Sequence, residues 1–240
     1  MHRLVIPRRF HGPPHSGNGG WTAGALARLL PGDHRGATVT VRLMLPPPLE
    51  VPLVVDDPPA GAGPRWILAD ESGRTVADAV ISERDLQPVP RVPMAQATEA
   101  GEGFLGWRRH LFPTCFVCGT DRRPGDGLRI FPGPASAEDG SAVVATTWTP
   151  YESGTAITWA ALDCPGGWSG DIVDNPVVLG TMTARIDHLP RTEDRLVVVG
   201  QHRGTEGRKT FTAASLYGED GALLATAEHV WIAIDPERFR

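Results

Sequence analysis

The stretch Trp159-Ala160-Ala161-Leu162-Asp163-Cys164-Pro165-Gly166-Gly167-Trp168 sets one carboxylate into an apolar, small-residue run. An ionised carboxylate in such surroundings is costly unless it is paired, and its pKa tends to rise. A chain that keeps one either satisfies it structurally or uses it as a base or nucleophile. The second candidate is Asn18-Gly19-Gly20-Trp21. Asn18 suits a helix N-cap, and the glycines let a ligand or another backbone come close. The N–H groups of a first helical turn point one way, so such a turn can polarise a developing oxyanion. Each has a plainer reading: Asp163 as a cap or buried structural carboxylate, Asn18 as an ordinary N-cap. Arg208-Lys209, just after Gly207, offers positive charge for phosphate groups, against the plainer reading of a solvated strand end. Arg203 and Arg185 are weaker candidates for that role.

Cys115-x-x-Cys118 with Cys164 and His110 is half of a usual zinc signature. A tight turn carrying free thiols explains the same residues, so no metal is expected. No thioredoxin-like pattern surrounds the pair, which argues against redox work. Other local matches fail. Gly101-Glu102-Gly103-Phe104-Leu105-Gly106 is a formal GxGxxG, but no strand precedes it and no helix pattern follows. Gly167-Trp168-Ser169-Gly170-Asp171 misses a nucleophile elbow by its last residue. Between Gly204 and Thr210, Arg208 breaks the spacing of a P-loop.

These residues sit in a chain of 240 residues with 41% hydrophobic and 21% charged content, enough for one large domain or two smaller ones. Twenty-eight Gly and 23 Pro imply many tight turns. A formal net charge of −5 argues against a nucleic-acid partner. No apolar run approaches the roughly 20 residues of a membrane-spanning helix. Residues 1–10 lack the apolar segment of a secretory signal. Three cysteines, an odd number, do not suggest a disulfide scaffold. The expected setting is the cytoplasm.

In chain order, Leu4-Val5-Ile6 reads as a strand, and Trp21 to Leu30 as a helix capped by Asn18 and ended by Pro31-Gly32. Strands follow at 38–45, 51–55, 65–69 and 75–83, the last two joined by Asp70-Glu71-Ser72-Gly73. Residues 86–113 lose periodicity and collect Pro and Gly, which marks a linker. Residues 114–240 open with the CxxC turn, then give strands at 127–131 and 141–148. The Asp163 segment follows, then strands at 176–189, 195–201, 208–217 and 222–234. The halves match at one spacing: Arg42, Pro47, Glu50 and Leu53-Val54-Val55 mirror Arg185, Pro190, Glu193 and Leu196-Val197-Val198. Each half also holds a Gly-Gly-Trp, at 19–21 and 166–168. These matches indicate an internal duplication.

A helix opened by an Asn-Gly-Gly turn, a following antiparallel meander and an acidic hairpin, all twice over, resemble the double-hotdog acyl-CoA thioesterases and their uncharacterised bacterial relatives. The segments that carry the likeness are Asn18 to Trp21, Trp159 to Gly167, Gly207-Arg208-Lys209, and Asp220-Gly221 leading to Trp231-Ile232. The resemblance implies an α+β fold of two fused hotdog units, each an antiparallel sheet wrapped around a helix: 1–85, a linker at 86–113, and 114–240. It implies hydrolysis of an acyl thioester between the units, with Asp163 as carboxylate and Asn18-Gly19-Gly20 as donor turn. Arg208 and Lys209 would meet coenzyme A, which enters as part of the substrate, so no separate cofactor is expected. Partners are then a small acyl thioester and, through exposed sheet edges, further copies of the chain. Two alternatives stand beside this: a non-catalytic acyl-thioester binder, and a hotdog dehydratase or hydratase. The latter needs a histidine partner, and none lies within ten residues of Asp163. Two departures bear on Asp163: Ser153-Gly154-Thr155 stands where a His-Gly-Gly turn is expected, and Pro165 is expected to interrupt a helix through Asp163.

Overall fold

The structure, a computed structural model, describes residues 2–32, 36–56, 58, 64–235 and 237. Runs of β-branched and aliphatic residues become strands β1 (His2–Val5), β2 (Thr38–Leu43), β3 (Pro52–Asp56), β4 (Arg65–Ala69) and β5 (Thr75–Ser82). After them come β6 (Gly133–Ser136), β7 (Ala142–Trp148), β8 (Val177–Ile186), β9 (Leu196–Glu206), β10 (Lys209–Gly218) and β11 (Leu223–Ala233). Among the described residues three α-helices interrupt the strands: α1 (Gly19–Ala27), α2 (Met94–Glu102) and α3 (Thr155–Trp168). All eleven strands form one antiparallel sheet in the order β1-β3-β4-β5-β2-β8-β11-β10-β9-β7-β6.

The seam is β2 against β8, where the hydroxyls of Thr40 and Thr183, 143 residues apart, lie 2.9 Å from one another. Outward from that seam the strands run β5, β4, β3, β1 on one side and β11, β10, β9, β7, β6 on the other. Local backbone detail recurs too. Glu50 (φ 61°) and Glu193 (φ 69°) are non-glycine residues in the left-handed region, a rare state. Gly73 (φ 79°) and Gly221 (φ 81°) turn the β4–β5 and β10–β11 hairpins, and the pairing slips at Leu68/Ala69 and at Leu216/Tyr217.

The helix α1 packs on α3, and both lie against the sheet, α1 on β2 and β8 and α3 on β8 to β11. Nearly every side chain of both helices is buried, so both are apolar all round rather than amphipathic. Glycines let them approach. A Cβ on Gly20 would lie 2.8 Å from the Trp159 carbonyl oxygen, and one on Gly24 would lie 2.6 Å from Trp159 Cβ. Among the described residues no helix is long and apolar enough to cross a membrane.

Several expectations change. Pro165 does not interrupt α3, which runs unbroken from Thr155 to Trp168 with Asp163 inside it. A proline removes one N–H, and here the last turn is held by packing instead. The Pro165 carbonyl lies against Gly200 of β9, and Gly166 and Gly167 sit on His229 and Trp231 of β11. The second Gly-Gly-Trp therefore closes α3, whereas the first opens α1, so these two triplets are not structural counterparts. Residues 127–131 are not a strand; their amides reach instead to Phe116 and Val117, and the edge strand β6 begins at Gly133. Nor is 86–113 a bare linker. It contains α2, and Val89 is strapped to the outer face of β10 through its N–H to Ser215 Oγ (2.9 Å) and its carbonyl to the Tyr217 hydroxyl. Val89, Val92 and Ala97 make a second small core with Val197, Val199 and Tyr217.

Candidate active site

Asp163 is 2% exposed and projects from α3 at the α1 crossing. Its Oδ2 accepts the Gly20 N–H at 2.9 Å and the Asn18 Nδ2 amide at 3.0 Å. Asn18 is thus used twice, because its Oδ1 also caps α1 by accepting the Trp21 N–H at 2.8 Å. The other carboxylate oxygen, Oδ1, is buried and accepts nothing from the described residues. Burial pushes the Asp163 carboxyl up to about 7; the Cys115 sulfur adds to the rise, and the Gly20 and Asn18 hydrogen bonds restrain it.

A cavity of about 320 Å³ opens beside this carboxylate. Its walls are mainly apolar, including Leu43, Leu45, Phe112, Ile172, Leu179 and Trp231, with Asn18, Gly19 and Asp163 among the polar groups. That size and lining fit the small end of ligand sites. Gly19 is the first residue of α1, and its N–H makes no hydrogen bond within the described residues. A first-turn N–H is an orphan donor carrying the positive end of the helix dipole. A groove shares the Gly167, Ile172, Val177 and Trp231 walls with the cavity and reaches the β9–β10 hairpin at Arg208.

The three cysteines meet on the same wall. Cys115, Cys118 and Cys164 are buried, with all three sulfurs within 4.8 Å of one another and Cys115 Sγ 3.8 Å from Cys164 Sγ. Hydrogen bonds from the Cys118 and Cys164 thiols push the Cys115 thiol well below its usual range. Burial raises Cys118, and the same shared hydrogen bonds raise Cys164. His110 also lines the cavity, but its ring is spent on the loop: Nε2 donates to the Cys118 carbonyl at 3.0 Å and Nδ1 accepts the Phe112 N–H at 3.1 Å. Burial lowers its pKa.

The structure therefore gathers Asp163, Asn18, Gly19 and Gly20, but in an arrangement different from the expected one. The turn's Gly20 N–H and the Asn18 amide are directed at Asp163 itself, which leaves Gly19 as the donor free for a ligand. Arg208 lies on the adjoining groove with Nη2 donating to the Ala233 carbonyl at 2.9 Å, while the exposed Lys209 lines neither space. Arg185 is engaged by Asp187, and Arg203 lines neither space. Trp168 lines the cavity; Trp21 stacks on Phe10 at 4.2 Å and Trp159 packs between the helices. Sequence reasoning missed His229, buried on β11 with Nδ1 3.1 Å from Thr212 Oγ1; burial lowers its pKa to about 3. Its signal was a histidine inside the alternating run of β11.

No protein-family model matches the sequence, and no curated protein does. Solved structures do match. A conserved protein of unknown function with a hot dog fold from Alicyclobacillus acidocaldarius superposes at TM-score 0.64 and 16% identity, over 98% of this chain and 93% of that one. The chain has the hotdog fold. Among similar hotdog structures is the acyl-CoA thioesterase II TesB2 of Mycobacterium marinum, at TM-score 0.58 and 11% identity over 99% of this chain and 94% of that one. Another is GphF dehydratase 1, at 0.54 and 14% over 97% and 93%. Several other similar structures bear thioesterase names. A hotdog frame thus hosts more than one reaction, and the chemistry must be argued from the site.

Proposed function

We propose that the chain is two hotdog units fused in one polypeptide and that it hydrolyses an acyl thioester, of the acyl-CoA class, at Asp163. One observation carries the reading. Asp163 stands on the wall of an apolar cavity, held through one oxygen by the α1 turn while the other oxygen has no partner among the described residues. In this scheme the acyl chain lies against the apolar walls, and the thioester carbonyl meets the Gly19 N–H. Asp163 Oδ1 takes a proton from water as the water oxygen attacks the acyl carbon. The carbon–sulfur bond breaks, and the proton passes from Asp163 to the departing thiolate. An oxyanion donor such as Gly19 is worth about 3–4 kcal/mol of barrier. Coenzyme A would leave along the adjoining groove, with Arg208 near its phosphates. The scheme needs no cofactor beyond the coenzyme A of the substrate, and it suits the cytoplasm, where that substrate is found.

Hydrolysis is favoured over water addition to an enoyl thioester because the cavity's histidine, His110, has both ring nitrogens engaged by backbone groups. The non-catalytic binder draws its support from the Gly20 and Asn18 donors, which satisfy Asp163 as a structural carboxylate would be satisfied. One panel separates the three: saturated acyl-CoAs of increasing chain length and an enoyl-CoA, with free thiol and water adduct both measured. Thiol release supports hydrolysis. Binding without release, or adduct without release, overturns it.

A further inference from the structure

We propose that Cys115, Cys118 and Cys164 form a binding site for a thiophilic divalent cation of the zinc class, with the fourth coordination position on the cavity wall. Three sulfurs from two separate parts of the chain, the 112–119 turn and α3, converge within 4.8 Å. A tetrahedral ion with metal–sulfur bonds of about 2.3 Å holds its sulfurs ~3.8 Å apart. Cys115 Sγ and Cys164 Sγ already stand at that separation, 3.8 Å. A disulfide would need a separation of about 2.0 Å and would use only two of the three.

The surroundings match a thiolate set rather than three packed thiols. Asn18 Nδ2 lies 4.0 Å from Cys115 Sγ. A donor of this kind stabilises metal-bound thiolate. The turn itself is rigid: Cys115 N–H bonds the Phe112 carbonyl, Gly119 N–H bonds the Cys115 carbonyl, and His110 Nε2 bonds the Cys118 carbonyl. Gly119 has to be glycine, since a Cβ there would lie 2.4 Å from the Cys115 carbonyl oxygen. Among the described residues, no further histidine, cysteine or carboxylate side chain joins these three sulfurs, and His110 is engaged elsewhere. All three cysteines line the cavity, so the fourth ligand is water or a bound molecule, the open arrangement of a reactive site rather than a closed structural one.

Binding displaces the thiol protons to solvent with no change of oxidation state. The proposal does not depend on the hydrolysis reading, because its readout is metal and sulfur rather than turnover. The test uses the reduced full-length chain titrated with cobalt(II), then with zinc(II). We expect one equivalent per chain, a thiolate-to-cobalt charge-transfer band that zinc abolishes, and loss of the band in Cys118→Ser. Should that variant fail to fold, the wild-type thiols supply the second reading. With zinc they resist a thiol reagent, and a chelator restores their reactivity. No charge-transfer band in the reduced wild-type chain, or thiols equally reactive with and without zinc, overturns the proposal.

Discussion

Asp163→Asn should stabilise the metal-free fold at neutral and alkaline pH. The carboxyl is pushed from 3.8 to about 7, so between those values the native chain holds a proton that the unfolded chain has released. The stability linked to that proton is complete below pH about 4 and is lost as pH rises through about 7. A displacement of that size corresponds to roughly 4 kcal/mol, at about 1.4 kcal/mol per unit. Asparagine keeps an acceptor for the Gly20 N–H and the Asn18 amide and carries no charge to desolvate. Urea unfolding from pH 4.5 to 8.5, in chelator, should show the two proteins within about 1 kcal/mol at the acid end. The variant should then gain steadily to pH 7, with a plateau above it. Parallel curves, or a variant weaker at pH 8, would refute the claim that the ionised carboxylate is held at a cost to the fold.

Other consequences are smaller. Gly24→Ala puts a methyl 2.6 Å from Trp159 Cβ and 2.8 Å from Ala156 Cα, so α1 and α3 must separate, with a loss of about 1–3 kcal/mol in thermal unfolding. Asn18→Ala removes the α1 cap, worth ~1 kcal/mol, together with one of the two donors to Asp163. A pH titration of that carboxyl by difference infrared spectroscopy should therefore move upward. His229, held neutral with a pKa of about 3, makes the fold acid-sensitive: the unfolded chain takes a proton below about pH 6.5 that the native chain refuses. The His229 contribution should fall by up to ~1.4 kcal/mol per pH unit from 6.5 downward, against the opposite slope of Asp163, so His229→Gln should gain on the wild type by that amount as the pH is lowered in denaturant titrations.

Much of the frame was legible. Alternating β-branched runs marked β2 to β5 and β8 to β11 because strands half-buried on a curved sheet need that period. Glu50 and Glu193, which share one spacing with Arg42 and Arg185, both adopt the left-handed backbone state, and the strands holding Arg42 and Arg185 pair with each other. Asn18 was recognisable as a cap because its side chain acts on its own backbone neighbourhood. What stayed hidden depends on distant partners. Pro165 reads as a break, but β9 and β11 clamp the turn it sits in. The 86–113 stretch reads as unstructured, yet its few apolar residues find the outer face of β9 and β10. The donors of the Asn-Gly-Gly turn read as free, although a carboxylate 143 residues away takes one of them. Cys164 sits beside Asp163 in the chain, but its convergence with Cys115 and Cys118 follows from how the 112–119 turn is threaded.

The most direct measurement is the rate at which thiol is released from an acyl-CoA by the wild-type chain and by Asp163→Asn, both shown folded by circular dichroism. With Asp163 as the base, the wild-type chain releases thiol and the variant is slower by about 10²–10⁴-fold, the usual contribution of a positioned base. Equal rates in the two proteins, or no release from any chain length by the wild type, would contradict that role.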